Sequence, residues 1–509
     1  MKNEQTLRIM TAEGCLRGKR EENVFVFKGI PYAAPPVGEQ RWKAPKPVTP
    51  WEGEKEATAW GPASWQSLEY CLAVGGGDPG GFSEDCLYLN VWTPDAEPST
   101  PLPVMVWIHG GGYTVGSGGL TPYLGAPLAA RGAVVVTLNY RLGHLGFFAH
   151  PALDREYADG EVVNNFALLD QIAALQWIQR NIRAFGGNPK NVTLMGESSG
   201  ARSVLSLFAS PMAKGLFHKG IVQSAYSVPD VSRAEALQKG EALARHFDLQ
   251  DASAEQLRAL PADAFWPLAR SLTLGPVAIH GDCVLPQPML SVFASGQQQR
   301  LPLMIGSNSD EASVLAFFGV DAAKVIADMR TKHPLALRLI KLLYRDVWDD
   351  AELGRQVARD MTFTTLGYVA ALAQHRTGTP TWRYYFDYVS ENARDLYAHG
   401  TWHGNEIPYV LNTLAQMEPT ESARPFTAAD RDFSWRVSEY WLRFARDVTV
   451  FSPQISGETD WPAWRPRQDI TLRFGQNGQA GIAIEKRFMR RRMQVFRLLM
   501  KAFVHLRHE

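Results

Sequence analysis

The sequence predicts an α/β fold built on a mostly parallel sheet, and three observations carry that prediction. Apolar, β-branched runs at 104–108, 134–138, 192–195 and 303–305 have the length of buried strands. Between the second and third, Leu168, Ile172, Leu175, Ile178, Ile182 and Phe185 recur at three- and four-residue spacing, the period of a helix. Each strand-like run gives way within a residue or two to Gly, Asn or Ser, as strands that feed loops do. Strand, helix, strand at this spacing is the crossover unit of a parallel sheet, which carries its sites at the carboxyl ends of its strands. The chemistry is therefore expected in the residues that follow those runs.

Composition agrees with such a fold and removes other classes. The chain has 509 residues, 45% hydrophobic and 20% charged, enough for a large core. Its 52 basic and 52 acidic residues balance, whereas nucleic-acid-binding domains are normally basic, so no nucleic-acid partner is expected. The balance hides a contrast, because residues 486–509 hold eight basic side chains and one acidic one. No apolar run approaches the 18 or so residues of a membrane span. Residues 1–22 lack the apolar segment of a secretory signal, and a cytoplasmic location is expected. Cys15, Cys71, Cys86 and Cys283 make no disulfide scaffold, and no CxxC pair suggests zinc. Length alone gives a prior of about three domains, but the candidate site residues span 109–403, which argues for one elaborated unit over 1–509.

Taken in order, the first run leads into His109-Gly110-Gly111-Gly112. Consecutive glycines let the main chain approach a substrate and present N–H groups to an oxyanion, and losing one such donor costs ~100- to 1,000-fold in rate. The helix that follows is stopped by Gly186-Gly187 and Pro189. The run 192–195 meets Gly196-Glu197-Ser198-Ser199-Gly200, and a helical stretch, 201–209, is closed by Ser210-Pro211. A serine in G-x-S-x-G between strand and helix sits on a sharp turn that exposes its hydroxyl above the sheet, with glycines where a Cβ would clash. After the run 303–305, Asp310 and Glu311 stand side by side, and the aromatic run 384–389 precedes His403-Gly404-Asn405-Glu406-Ile407. A serine hydroxyl is a poor nucleophile until a histidine takes its proton, and that imidazole needs a carboxylate to fix its tautomer. Serine, carboxylate, histidine is the chain order of the α/β-hydrolases. His399 and His403 could also be read as a metal pair, but Gly400 intervenes and no third ligand accompanies them. No metal or organic cofactor is expected.

These motifs, with others in order, resemble those of the type-B carboxylesterase/cholinesterase family of α/β-hydrolases, particularly its bacterial carboxylesterases. Phe27-Lys28-Gly29-Ile30-Pro31-Tyr32-Ala33 with Pro35-Pro36-Val37-Gly38 resembles the family's amino-terminal motif, and Ser83-Glu84-Asp85-Cys86-Leu87-Tyr88-Leu89-Asn90-Val91 its second signature. Asn139-Tyr140-Arg141-Leu142-Gly143, Asp170-Gln171 and Phe185-Gly186-Gly187-Asn188-Pro189 follow in family order. The resemblance implies an α/β-hydrolase fold with large helical insertions over an active-site gorge. It implies Ser198 as nucleophile, His403 as general base and Glu311 as triad acid, with Asp310 the runner-up on sequence alone. It also implies Gly111, Gly112 and Ser199 as oxyanion-hole donors. The family usually has Ala where Ser199 stands; a backbone donor survives that change, while the added hydroxyl is expected to alter the acyl pocket. Ala312 replaces the glycine of the family's D-E-G.

Cys71 and Cys86 occupy the positions of the family's first disulfide, and in a reducing compartment they would stay thiols. The cholinesterase tryptophan that stacks on choline has no counterpart, since 72–85 holds no Trp and only Phe82 as an aromatic. Trp107 and Trp402 lie beside the catalytic loops in sequence. The implied activity is hydrolysis of neutral, small to medium carboxylic esters through an acyl-enzyme, with a small-molecule ester as partner. A non-catalytic adhesion protein is the reading from another class, opposed by the retained triad and glycine loop. A lipase is the nearer alternative.

The carboxyl-terminal residues Met489, Met493, Phe496, Met500 and Phe503 form a helical stripe, with Arg490, Arg491, Arg497 and Lys501 between them. The expected arrangement is a terminal helix packed on the body; contact with an anionic membrane is the less favoured alternative.

Overall fold

The four apolar runs become the middle of one sheet in a computed structural model, which describes residues 5–74, 76–158, 160–266, 268–318, 320–417, 424–446 and 459–506. Its strands are β1 (Thr6–Met10), β2 (Cys15–Glu21), β3 (Val24–Pro31), β4 (Glu54–Glu56), β5 (Tyr88–Thr93), β6 (Leu102–Ile108), β7 (Val134–Leu138), β8 (Gly187–Glu197) and β9 (Lys219–Gln223). A separate short pair, β10 (Val231–Ser232) and β11 (Ile279–His280), precedes β12 (Leu303–Asn308), β13 (Thr381–Tyr388) and β14 (Ile470–Lys486). The twelve-stranded sheet runs β1-β2-β3-β5-β7-β6-β8-β9-β12-β13-β14, with β4 beside β2. From β7 to β14 every neighbour is parallel, while the amino-terminal strands through β5 pair antiparallel along that order.

The continuous apolar runs are explained by burial on both faces, which removes the polar alternation of a half-solvated strand. Along β6, Val104, Val106 and Ile108 enter one apolar cluster and Met105 and Trp107 another. The helix Phe166–Asn181 packs Leu168, Ile172, Leu175 and Ile178 into the first cluster, and the helix Ala428–Arg446 packs Phe433, Val437 and Trp441 into the second. The predicted stop of the first helix is real: a turn at Ile182–Phe185 ends on Gly186 in the left-handed region, φ 81°.

Between β12 and β13 lies the expected helical insertion, with helices Ala322–Lys332, Pro334–Leu343, Asp350–Arg359 and Thr365–Arg376. Ile326, Leu337, Tyr344, Leu353 and Val357 give it a small core of its own, which the terminal helix Arg490–Leu506 completes with Met493 and Phe496. Met500 packs against the main core; the side chain of Phe503 lies outside the described residues. Arg492 lies over the Tyr344 ring at 3.9 Å and donates to Leu343 O at 3.1 Å. The stripe thus faces the body, and among the described residues no helix is long and apolar enough to cross a membrane.

Cys71 and Cys86, at the positions of the family's first disulfide, are not bonded to each other. Cys86 is buried in the first cluster and Cys71 in the second, so each sulfur is already packed where it stands. The Cys71 thiol donates to Gly77 O at 3.3 Å, and burial pushes it up to about 11.

Candidate active site

The site is assembled at the carboxyl ends of β6, β8, β12 and β13, as a parallel sheet dictates. β8 runs two residues past its predicted end to Glu197, and Ser198 forms the corner before the helix Ser199–Ala209. Ser198 has φ 55° and ψ −121°, a conformation that L residues hold only under constraint. The motif glycines make that corner possible: a Cβ on Gly196 would lie 2.6 Å from the Gly200 carbonyl carbon, and one on Gly200 would strike Ile108 O.

The three residues expected to cooperate meet there. Ser198 Oγ is 2.8 Å from His403 Nε2, and His403 Nδ1 is 2.5 Å from Glu311 Oε2. The other Glu311 oxygen accepts from the Asn308 amide at 2.6 Å, which locks the carboxylate against rotation. The runner-up, Asp310, is turned away into an ion pair with Arg355, so Glu311 alone of the two faces the imidazole. His399 lies 3.0 Å from Glu352, away from His403.

The amides of Gly111, Gly112 and Ser199 have no acceptor among the described residues. The Ser199 amide is free because it opens a helix, whose first N–H groups lack partners. The Ser199 hydroxyl does not enter the acyl pocket: it is buried and accepts from the Tyr113 amide at 3.1 Å.

Sequence reasoning missed the acidic floor of the site. Glu197, the variable letter of G-x-S-x-G, places Oε1 3.1 Å from His403 Nε2. Glu406 accepts from Gln223 Nε2 at 3.0 Å and Asn308 Nδ2 at 2.5 Å, and Trp441 Nε1 donates to Gln223 Oε1 at 2.9 Å. The only available signal was a carboxylate inside each of two glycine-bearing motifs. Burial pushes the Glu197 carboxyl up to about 8, against the pull of His403. Burial would lower the His403 pKa, but the Glu197 and Glu311 carboxylates outweigh it and raise it to about 9.

These groups open onto a cavity of about 290 Å³. Leu120, Tyr123, Tyr388, Tyr397, Met417 and Phe426 are among its walls, and no Arg or Lys lines it among the described residues. Trp107 is buried against Tyr123, and Trp402 packs at a tilt against Tyr397; neither lines the cavity.

A serine at a strand–helix corner, with an imidazole and a locked carboxylate in line, belongs to the serine hydrolases of the α/β-hydrolase fold. The chain belongs to the Carboxylesterase family, whose model matches residues 5–495. It is 34% identical to the fumonisin B1 esterase of Sphingopyxis macrogoltabida over 493 residues, 92% of this chain and 87% of that one. It is also 34% identical to the para-nitrobenzyl esterase of Bacillus subtilis (strain 168) over 486 residues, 91% of this chain and 94% of that one. Among solved structures, a PNB esterase superposes with a TM-score of 0.80 at 31% identity, covering 96% of this chain and 99% of that one. A carboxylesterase of Geobacillus stearothermophilus gives 0.80 at 29%, with the same coverage. The protein is a carboxylic ester hydrolase.

Proposed function

We propose that Ser198 is the nucleophile in the hydrolysis of uncharged, small to medium carboxylic esters. The observation that carries this reading is the unbroken chain from Ser198 Oγ through His403 to Glu311, at 2.8 and 2.5 Å, on the floor of an apolar cavity. His403 Nε2 takes the hydroxyl proton as Oγ attacks the ester carbonyl. Glu311 holds the tautomer and stabilises the imidazolium. The amides of Gly111, Gly112 and Ser199 receive the oxyanion. His403 then protonates the leaving alcohol, and water repeats the steps on the acyl-enzyme.

The absence of Arg or Lys from the described lining, with Glu197 at the floor, supports neutral substrates over carboxylated ones.

Ser198→Ala is expected to lower kcat for a p-nitrophenyl ester by at least ~10⁴-fold. A fluorophosphonate probe should label the wild type and not the variant. Full hydrolysis by the folded variant would refute the assignment.

A further inference from the structure

The loop that carries two of the proposed oxyanion donors is held in an unusual conformation. Gly111, Gly112 and Tyr113 follow one another with φ of 100°, 62° and 61°. Glycine adopts such angles freely, but a tyrosine does so only when its surroundings hold it there. Gly111 has no substitute, since a Cβ there would strike Val115 O.

Four contacts hold Tyr113. Its amide donates to Ser199 Oγ at 3.1 Å, and its carbonyl accepts from the Gly143 amide at 2.7 Å. Its phenol meets Ser203 Oγ at 3.2 Å, and its ring packs on Phe147 with centroids 4.8 Å apart. The first contact differs from the rest because it joins the loop to the residue after the nucleophile. At the loop's other end, the Tyr140 phenol donates to His109 O at 2.8 Å. The Tyr113 end of the segment from His109 is thereby tied to the buried Ser199 hydroxyl and the His109 end to the Tyr140 phenol.

We infer that the Ser199 hydroxyl is a positioning group that fixes the Gly111 and Gly112 donors relative to the Ser199 amide. This rests on the proposed oxyanion-hole reading and deepens it. The hydroxyl does not touch the substrate; it acts through the Tyr113 amide. An alanine, usual here in the resembling family, keeps the backbone donor and removes only the brace. Preorganised donors lose effect when displaced by fractions of an ångström, because the oxyanion then meets them at poor distance and angle.

The test is Ser199→Ala with Ser198 intact, assayed on a p-nitrophenyl ester and with a trifluoromethyl ketone, which forms a tetrahedral oxyanion adduct on the serine. The expected result is a fall in kcat of about tenfold with KM within about twofold, and an equal weakening of the ketone Ki. Tyr113→Phe keeps the amide contact and should leave the ketone Ki within about twofold of wild type. Wild-type kcat and Ki in Ser199→Ala would overturn the inference, as would a fall in kcat with unchanged ketone affinity. Failure of the underlying reading is distinct, because the ketone would then not bind the wild-type serine at all.

Discussion

His403 is held between two carboxylates that do different things. Glu311 sits at Nδ1 and is itself locked by the Asn308 amide, whereas Glu197 sits at Nε2, beside the hydroxyl that gives up its proton in the proposed mechanism. A buried anion at that nitrogen stabilises the protonated imidazole, and only the neutral imidazole can act as base. In the proposed mechanism activity is therefore expected to fall as pH falls through the His403 pKa, which the carboxylates place at about 9. Glu197→Gln removes one anion, lowers that pKa and should move the acidic limb of the kcat/KM profile to lower pH by about one unit. An unmoved limb would show that Glu197 does not act on the base.

At the scale of the element, the terminal helix Arg490–Leu506 has one docked face and one exposed face. Met493 and Phe496 are 0% and 1% exposed in the core of the helical insertion, whereas Leu498 is 59% exposed. Truncating the buried pair leaves a cavity as well as losing transfer energy, so Met493→Ala is expected to cost about 2–5 kcal/mol. Leu498→Ala should stay within about 0.5 kcal/mol. Urea unfolding curves of the two variants test this, and equal midpoints would mean that the helix does not dock through Met493. The basic residues of the tail are partly engaged in the same docking: Arg492 lies over Tyr344, with Asp360 3.5 Å away, and Asp469 lies 3.9 Å from Arg490.

At the scale of the whole molecule, the sheet collects the reacting groups and the surrounding loops decide what reaches them. The cavity is walled by tyrosines and aliphatic side chains, its floor carries Glu197, and no Arg or Lys faces it among the described residues. An ester with a free carboxylate would be desolvated there without a cationic partner. A hemisuccinate ester should show kcat/KM at least ~100-fold below that of the corresponding methyl succinate diester, a difference of about 2.7 kcal/mol. Parity between the two would require a cation that reaches the site.

The buried strands, the elbow, the glycine loop and the order serine, carboxylate, histidine were legible because they follow from local rules. A strand buried on both faces must be apolar throughout, a helix must repeat near 3.6, and a turn as tight as the one at Ser198 admits only glycine at Gly196 and Gly200. Two other matters were decided only by residues brought together from distant parts of the chain. Glu197 and Glu406 acquire their setting from burial beside His403, Gln223 and Asn308. The Ser199 hydroxyl binds the Tyr113 amide instead of entering the pocket. Backbone sterics and the period of burial are written in neighbouring residues, whereas charge pairing and desolvation depend on what the folded chain places within a few ångströms.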